Sequence, residues 1–114
     1  MERQLPQLEQ SQQHQGSWSL TLFVPANLRY FEGHFEHFPI LPGVSQLDWV
    51  LHYAQLMYQQ RLELVGMEAI KYQSPVPPNT RLTLEFSLDA ATNKLSFCYF
   101  DSTKTYSRGK VKLR

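Results

Sequence analysis

The sequence predicts an α+β fold in which an antiparallel sheet wraps around one long central helix. Three observations lead there. Residues 44–60, VSQLDWVLHYAQLMYQQ, are mostly apolar all round and carry a single formal charge, Asp48. A helix of that kind is buried rather than laid on a surface. Several other stretches alternate apolar and polar residues with a period of two, the pattern of half-buried strands. At 114 residues the chain is long enough for one domain with a real core and too short for two.

Residues 1–16 are rich in glutamine (Gln4, Gln7, Gln10, Gln12, Gln13, Gln15) and weakly patterned. They read as a loose arm in which only Leu5 and Leu8 could dock. The domain proper is then 17–114. From Ser17, the residues Trp18, Leu20, Leu22 and Val24 alternate with Ser17, Ser19, Thr21 and Phe23, a strand closed by Pro25. The segment from Tyr30 to Gly43 is a loop dense in His, aromatics, Gly and Pro, and it runs straight into the helix. Pro39, Pro42 and Gly43 restrict its backbone, and Gly43 sits where a helix can begin. The helix should fade between Arg61 and Gly66.

After Gly66, MEAIKYQS reads as a strand stopped by Pro75, Pro77 and Pro78. Leu82, Leu84, Phe86 and Leu88 then face one way, against Arg81, Thr83, Glu85 and Ser87. The turn AATN leads to a strand over 94–101 with Leu95, Phe97 and Tyr99 on one face, and a last strand covers about 105–113. One small sheet cannot cover every side of an apolar helix. A second subunit is the simplest closure, so burial alone predicts a dimer.

Composition narrows the function classes. A net charge of +1 gives no global pull toward nucleic acid or membrane. The lone Cys98 cannot form an internal disulfide. The N-terminus carries no apolar signal segment and no run reaches the length of a membrane span, so the default location is cytoplasmic. Glycines 16, 33, 43, 66 and 109 are scattered and build no phosphate loop.

The candidate chemistry lies around the helix start. Asp48, flanked by Leu47, Trp49 and Val50, reads as a carboxylate carried into a core. His34 lies just upstream in the loop. A buried acid near an imidazole suits acid/base catalysis, although a loop histidine with one hydrogen bond and an acid favoured by the helix dipole are the plain alternatives. His34 and His37 form an H-x-x-H pair, but no further ligand sits at metal spacing beside them. His52 reads as a helix histidine with its hydrogen bonds met. Tyr53, Leu56, Met57 and Tyr58 read as core, with the option of lining an acyl-sized channel. The basic C-terminal run Lys104, Arg108, Lys110, Lys112 and Arg114 guards an edge strand or meets an acidic partner.

Gly33-His34-Phe35, then Pro39-Ile40-Leu41-Pro42-Gly43-Val44, then Asp48 fourteen positions after His34, resembles the hot-dog-fold 3-hydroxyacyl-[acyl-carrier-protein] dehydratases. The QLDW wording and the short chain are similar to the small dehydratases of aryl-polyene-type clusters. AIKYQSPVPPNTRLTLEF resembles the same family's strand, P-V-x-P turn and following strand. Two residues depart from the pattern: Glu36 where the family has Pro, and Asn79 where it commonly has Gly, a mild change because Asn tolerates turn geometry.

The resemblance implies a hot-dog fold and dehydration of a 3-hydroxyacyl thioester on acyl carrier protein, with no metal or organic cofactor. Neutral His34 would take the C2 proton. Asp48 would position the 3-hydroxyl and help protonate it as water leaves. The Gly43 and Val44 backbone N–H groups would polarise the thioester carbonyl. The histidine and the acid would meet across a dimer interface, in agreement with the burial argument. Phe35, Leu47, Tyr53 and Met57 are the expected channel residues. Arg108, Lys110 and Lys112 are the expected carrier-docking residues. Two alternatives remain at this point: a hot-dog thioesterase, and a non-catalytic subunit of a mixed hot-dog dimer.

Overall fold

A computed structural model describes residues 4–31 and 40–114. The described residues contain strands β1 (Gln7–His14), β2 (Ser17–Val24), β3 (Leu64–Met67), β4 (Lys71–Tyr72), β5 (Thr80–Asp89), β6 (Lys94–Phe100) and β7 (Thr105–Leu113), one α-helix, α1 (Gly43–Tyr58), and a short 3-10 turn at Arg29–Phe31. The strands form a single antiparallel sheet in the order β1-β2-β5-β6-β7-β3, with β4 also on β7. A sheet laid around one helix is the hot-dog arrangement.

The period-two reading carries directly into packing. Leu20, Leu22 and Val24 of β2, Leu82, Leu84 and Phe86 of β5, and Leu95, Phe97 and Tyr99 of β6 are all buried. They meet Trp49, Val50, Tyr53 and Ala54 of α1 in one core. The register places Leu20 opposite Leu84 and Phe86 opposite Phe97, so the apolar rows run continuously across the sheet.

Three sequence expectations need correction. Residues 7–14 are not a loose arm but strand β1, paired along its length with β2. The hairpin turns at Gln15 (φ 49) and Gly16 (φ 86), the positive-φ pair that a tight two-residue hairpin demands. Every β1 side chain is exposed, so no apolar period could announce the strand. The MEAIKYQS strand is interrupted: β3 and β4 bracket a bulge where Ile70 and the Ala69 carbonyl lie over Gly109 of β7. A Cβ at Gly109 would come within 2.6 Å of Ile70. The third correction concerns Leu56 alone, since the helix is left uncovered on one side of a single protomer, as expected. Ser45, Gln46, Trp49, Val50, Tyr53 and Ala54 form its buried stripe, whereas Val44 is 74% and Leu56 56% exposed, so Leu56 is no core residue here.

Asn79 adopts φ 62 and donates its N–H to the Val24 carbonyl at 2.7 Å, so the glycine-like turn expected at this position is made by asparagine.

Candidate active site at the helix start

The chain enters α1 through Ile40, Leu41 and Pro42. Pro42 is the N-cap residue and makes no side-chain capping bond. The Ser45 and Gln46 N–H groups fold back to the Pro42 carbonyl at 3.1 and 3.3 Å. The N–H groups of Gly43 and Val44 come before these, among the first-turn donors for which a helix itself supplies no partner. They lie at the positive end of the helix dipole.

Beside them is an open cleft of about 290 Å³, lined by Ile40, Leu41, Gly43, Gln46, Tyr72, Gln73, Ser74 and Pro75. The Tyr72 ring seats directly on Gly43, where an added Cβ would come within 2.5 Å of it. Only glycine allows that approach. A larger depression, about 560 Å³, lies on β1 and β2 around Gln12, His14 and Trp18. It sits at the other edge of the sheet and contains none of the helix-start residues.

Asp48 is half-buried one turn into α1. His52 follows one turn later, also half-buried, with its ring edge-on to Tyr53 at 5.0 Å. His34, Phe35, Glu36 and His37 lie outside the described residues, so the proposed His34–Asp48 pairing does too. Among the described residues no cluster of three or more His, Cys, Asp or Glu could hold a metal.

Of the predicted channel residues, Leu47, Tyr53 and Met57 lie on α1, and Phe35 lies outside the described residues. Leu47 lines a narrow apolar crevice with Val50, Leu51, Leu64, Leu95 and Val111. Tyr53 is buried in the core, where desolvation raises its hydroxyl pKa. Met57 packs on the core at partial exposure near the far end of the helix. Arg108, Lys110 and Lys112 are all exposed and share one side of β7. Ser107, Val111 and Leu113, on the other side of the strand, are buried.

Two features escaped the sequence reading. Gln46, Ser107 and Tyr99 form a buried polar cluster beneath the helix start. The N-terminal segment straps the first half of the helix: Trp49 Nε1 donates to the Gln4 carbonyl at 2.9 Å, and the Arg29 N–H donates to Gln4 Oε1 at 3.0 Å. A polar residue inside an apolar helix was a readable signal for Gln46. Nothing local announced Ser107 or Gln4.

No helix among the described residues is long and apolar enough to cross a membrane. A family model described as ApeI dehydratase matches residues 9–110. The chain superposes on a structure of the dehydratase heterocomplex ApeI:P from Xenorhabdus doucetiae with TM-score 0.88 and 36% identity, covering 96% of this chain and 97% of that one. An uncharacterised protein from Erwinia carotovora subsp. atroseptica gives TM-score 0.83 and 35% identity, with 96% of each chain covered. The 3-hydroxyacyl-[acyl-carrier-protein] dehydratase FabZ of Variovorax paradoxus is 30% identical over 76 residues, 58% of this chain and 51% of that protein. The chain spans about half the length of the curated relatives it matches. With the matched region running from β1 into β7 and the helix-start cleft inside it, this chain belongs to the ApeI-like dehydratase family.

Proposed function

We propose that this protein removes water from a 3-hydroxyacyl thioester carried on acyl carrier protein, giving the trans-2-enoyl thioester for fatty-acid or polyene-type biosynthesis. The observation that carries the reading is the helix start. Gly43 and Val44 are the first residues of the helix, Gly43 lines a cleft, and Asp48 follows on the next turn. Family membership and the FabZ relatives point to the same chemistry.

In the proposed reaction the thioester carbonyl accepts from the Gly43 and Val44 N–H groups. Negative charge building on that oxygen as the C2 proton leaves is then stabilised by fixed donors. His34, neutral, takes the C2 proton. Asp48 holds the 3-hydroxyl and delivers a proton to it, so that the C3–O bond breaks with water as the leaving group. The electron pair of the C2–H bond becomes the new double bond. No net oxidation occurs.

The second subunit is a chain of the same fold, placed against the β3–β4 edge, where Leu64, Val65, Met67 and Tyr72 are exposed. It supplies the histidine that meets Asp48. A copy of this chain is the occupant taken here. A companion chain, as in the Xenorhabdus heterocomplex, follows if the purified protein stays monomeric. Arg108, Lys110 and Lys112 meet the acidic surface of the carrier, reaching it around the narrow β4 edge.

The test is mass spectrometry of a 3-hydroxyacyl chain on carrier protein after incubation with the enzyme. Loss of one water, blocked by His34→Ala, is the expected result. Release of free acid makes the protein a thioesterase.

A further inference from the structure

We propose that Tyr99, Ser107 and Tyr72, a single row across β6, β7 and β4, act with Gln46 as a positioning clamp for the helix start. Its role is to hold the Gly43 and Val44 amides in register with the reacting carbonyl. The inference rests on the dehydratase reading for its kinetic consequence, but the clamp itself is a geometric claim.

The three residues are direct cross-strand neighbours. Tyr99 pairs with Ser107 in the β6–β7 ladder, and Ser107 pairs with Tyr72 in the β4–β7 ladder. Each bears on the first turn of α1. The Tyr99 hydroxyl donates to the Gln46 carbonyl at 2.7 Å. The Ser107 hydroxyl donates to Gln46 Oε1 at 2.6 Å. The Gln46 side-chain amide reaches back to the Leu41 carbonyl at 3.4 Å, and Tyr72 lies flush on Gly43.

This arrangement replaces a cap that the sequence cannot make. In a capping box, a Gln or Glu in the first turn bonds back to the N-cap N–H. Here the N-cap is Pro42, which has neither that N–H nor a side-chain acceptor. Gln46 instead ties the preceding carbonyl, and the sheet ties Gln46. The helix start is thereby fixed by bonds that do not use the Gly43 or Val44 N–H groups.

Burial argues that the cluster is not incidental. Ser107 and Tyr99 are fully buried and Gln46 nearly so, and an apolar trio of similar volume would satisfy the core without any polar group to pair. Burial also pushes the Tyr99 hydroxyl well above its ordinary pKa, reinforced by Tyr53, Asp48 and Tyr72. It therefore remains a donor throughout the working range.

The experiment compares wild type with Ser107→Ala, Ser107→Thr and Gln46→Leu, using Leu113→Ala as a control of lowered stability on the same strand. Each is measured for kcat and KM on a 3-hydroxyacyl carrier substrate, for Tm, and for the backbone amide shifts of Gly43 and Val44. Because donors displaced from the reacting oxygen cost rate, Ser107→Ala and Gln46→Leu should lower kcat by about tenfold to a hundredfold. KM should stay within about threefold of wild type. Ser107→Thr, which keeps the hydroxyl, should recover most of the rate, and the Gly43 and Val44 shifts should move in Ser107→Ala but not in Leu113→Ala. Unchanged kcat in Ser107→Ala, or a loss of kcat in Leu113→Ala that matches its Tm, would overturn the clamp. If wild type turns over no hydroxyacyl substrate, the functional reading fails by itself. The amide shifts then decide the clamp: movement confined to the clamp variants supports it, and none overturns it.

Discussion

The two edges of the sheet are finished in opposite ways. At one edge, β1 exposes all eight of its residues, nearly all polar. It is tied down by backbone pairing, by a tight turn and by the Glu9–Arg81 ion pair at 2.6 Å. At the other edge, β3 and β4 leave Leu64, Val65, Met67 and Tyr72 exposed, Met67 at 64%. A polar, bulged edge ends a molecule, whereas an apolar edge is a surface awaiting cover. Only the second edge adjoins the helix start: Tyr72 sits on Gly43 and lines the cleft. The incomplete edge is therefore the one proposed to carry the chemistry.

The largest effects should fall at that end. Asp48→Asn and His34→Ala are each expected to cut turnover by roughly a thousandfold or more, with fold and assembly retained. Rate measurements with light scattering on the same samples check this, and near-normal turnover in either variant would remove the assignment. Next comes assembly. Val65→Asp with Met67→Asp would bury charge in the proposed interface and should weaken self-association by about a hundredfold or more. Gln10→Asp with Gln12→Asp on β1 should leave it unchanged. Sedimentation velocity separates the two, and equal dissociation by both pairs would erase the contrast between the edges.

The β1 edge should respond only in stability. Gly16 has φ 86 and open space where a Cβ would be, so Gly16→Ala costs backbone strain alone, about 1 kcal/mol. A Tm lower by a few degrees with kcat unchanged is the expected calorimetric result.

The smallest effect is a pH dependence at the β6–β7 turn. Asp101 accepts from the Tyr106 hydroxyl and from Thr103, and these bonds hold its carboxyl well below the usual range. A depressed carboxyl contributes stability above its unfolded pKa and loses it as pH falls through the folded value. Tyr106 moves the other way: burial and Asp101 push its hydroxyl up to about 12. Its contribution is complete below about pH 10 and declines between about 10 and 12. Tyr106→Phe should flatten both limbs of a Tm–pH curve, and an unaltered curve would show that the pair contributes nothing.

Much of this was legible in the sequence. Strands β2, β5 and β6 declared themselves because each buries one face, which forces an apolar period of two. The helix declared itself through length and composition, and Asp48 through being its only charge. What could not be read has physical causes. Strand β1 buries no face, so its only local sign was Gly16 before Ser17. The break between β3 and β4 lies over Gly109, about forty residues away in sequence. Leu56 was misread because its apolar neighbours on the helix hid the fact that it lies off the buried stripe, 56% exposed. Ser107 reaches Gln46 only through the register of three strands.

We propose that the reaction centre is completed across the β3–β4 edge, with the acid from one subunit and the histidine from its neighbour. Mixing His34→Ala with Asp48→Asn under conditions of subunit exchange tests it most directly. A mixed dimer then holds one site with both groups intact and one with neither. Water loss from the carrier-bound hydroxyacyl chain should return to about a quarter of the wild-type rate, as random pairing of two subunits requires. Mixtures as inactive as the separate variants, with exchange confirmed by mass, would contradict the account.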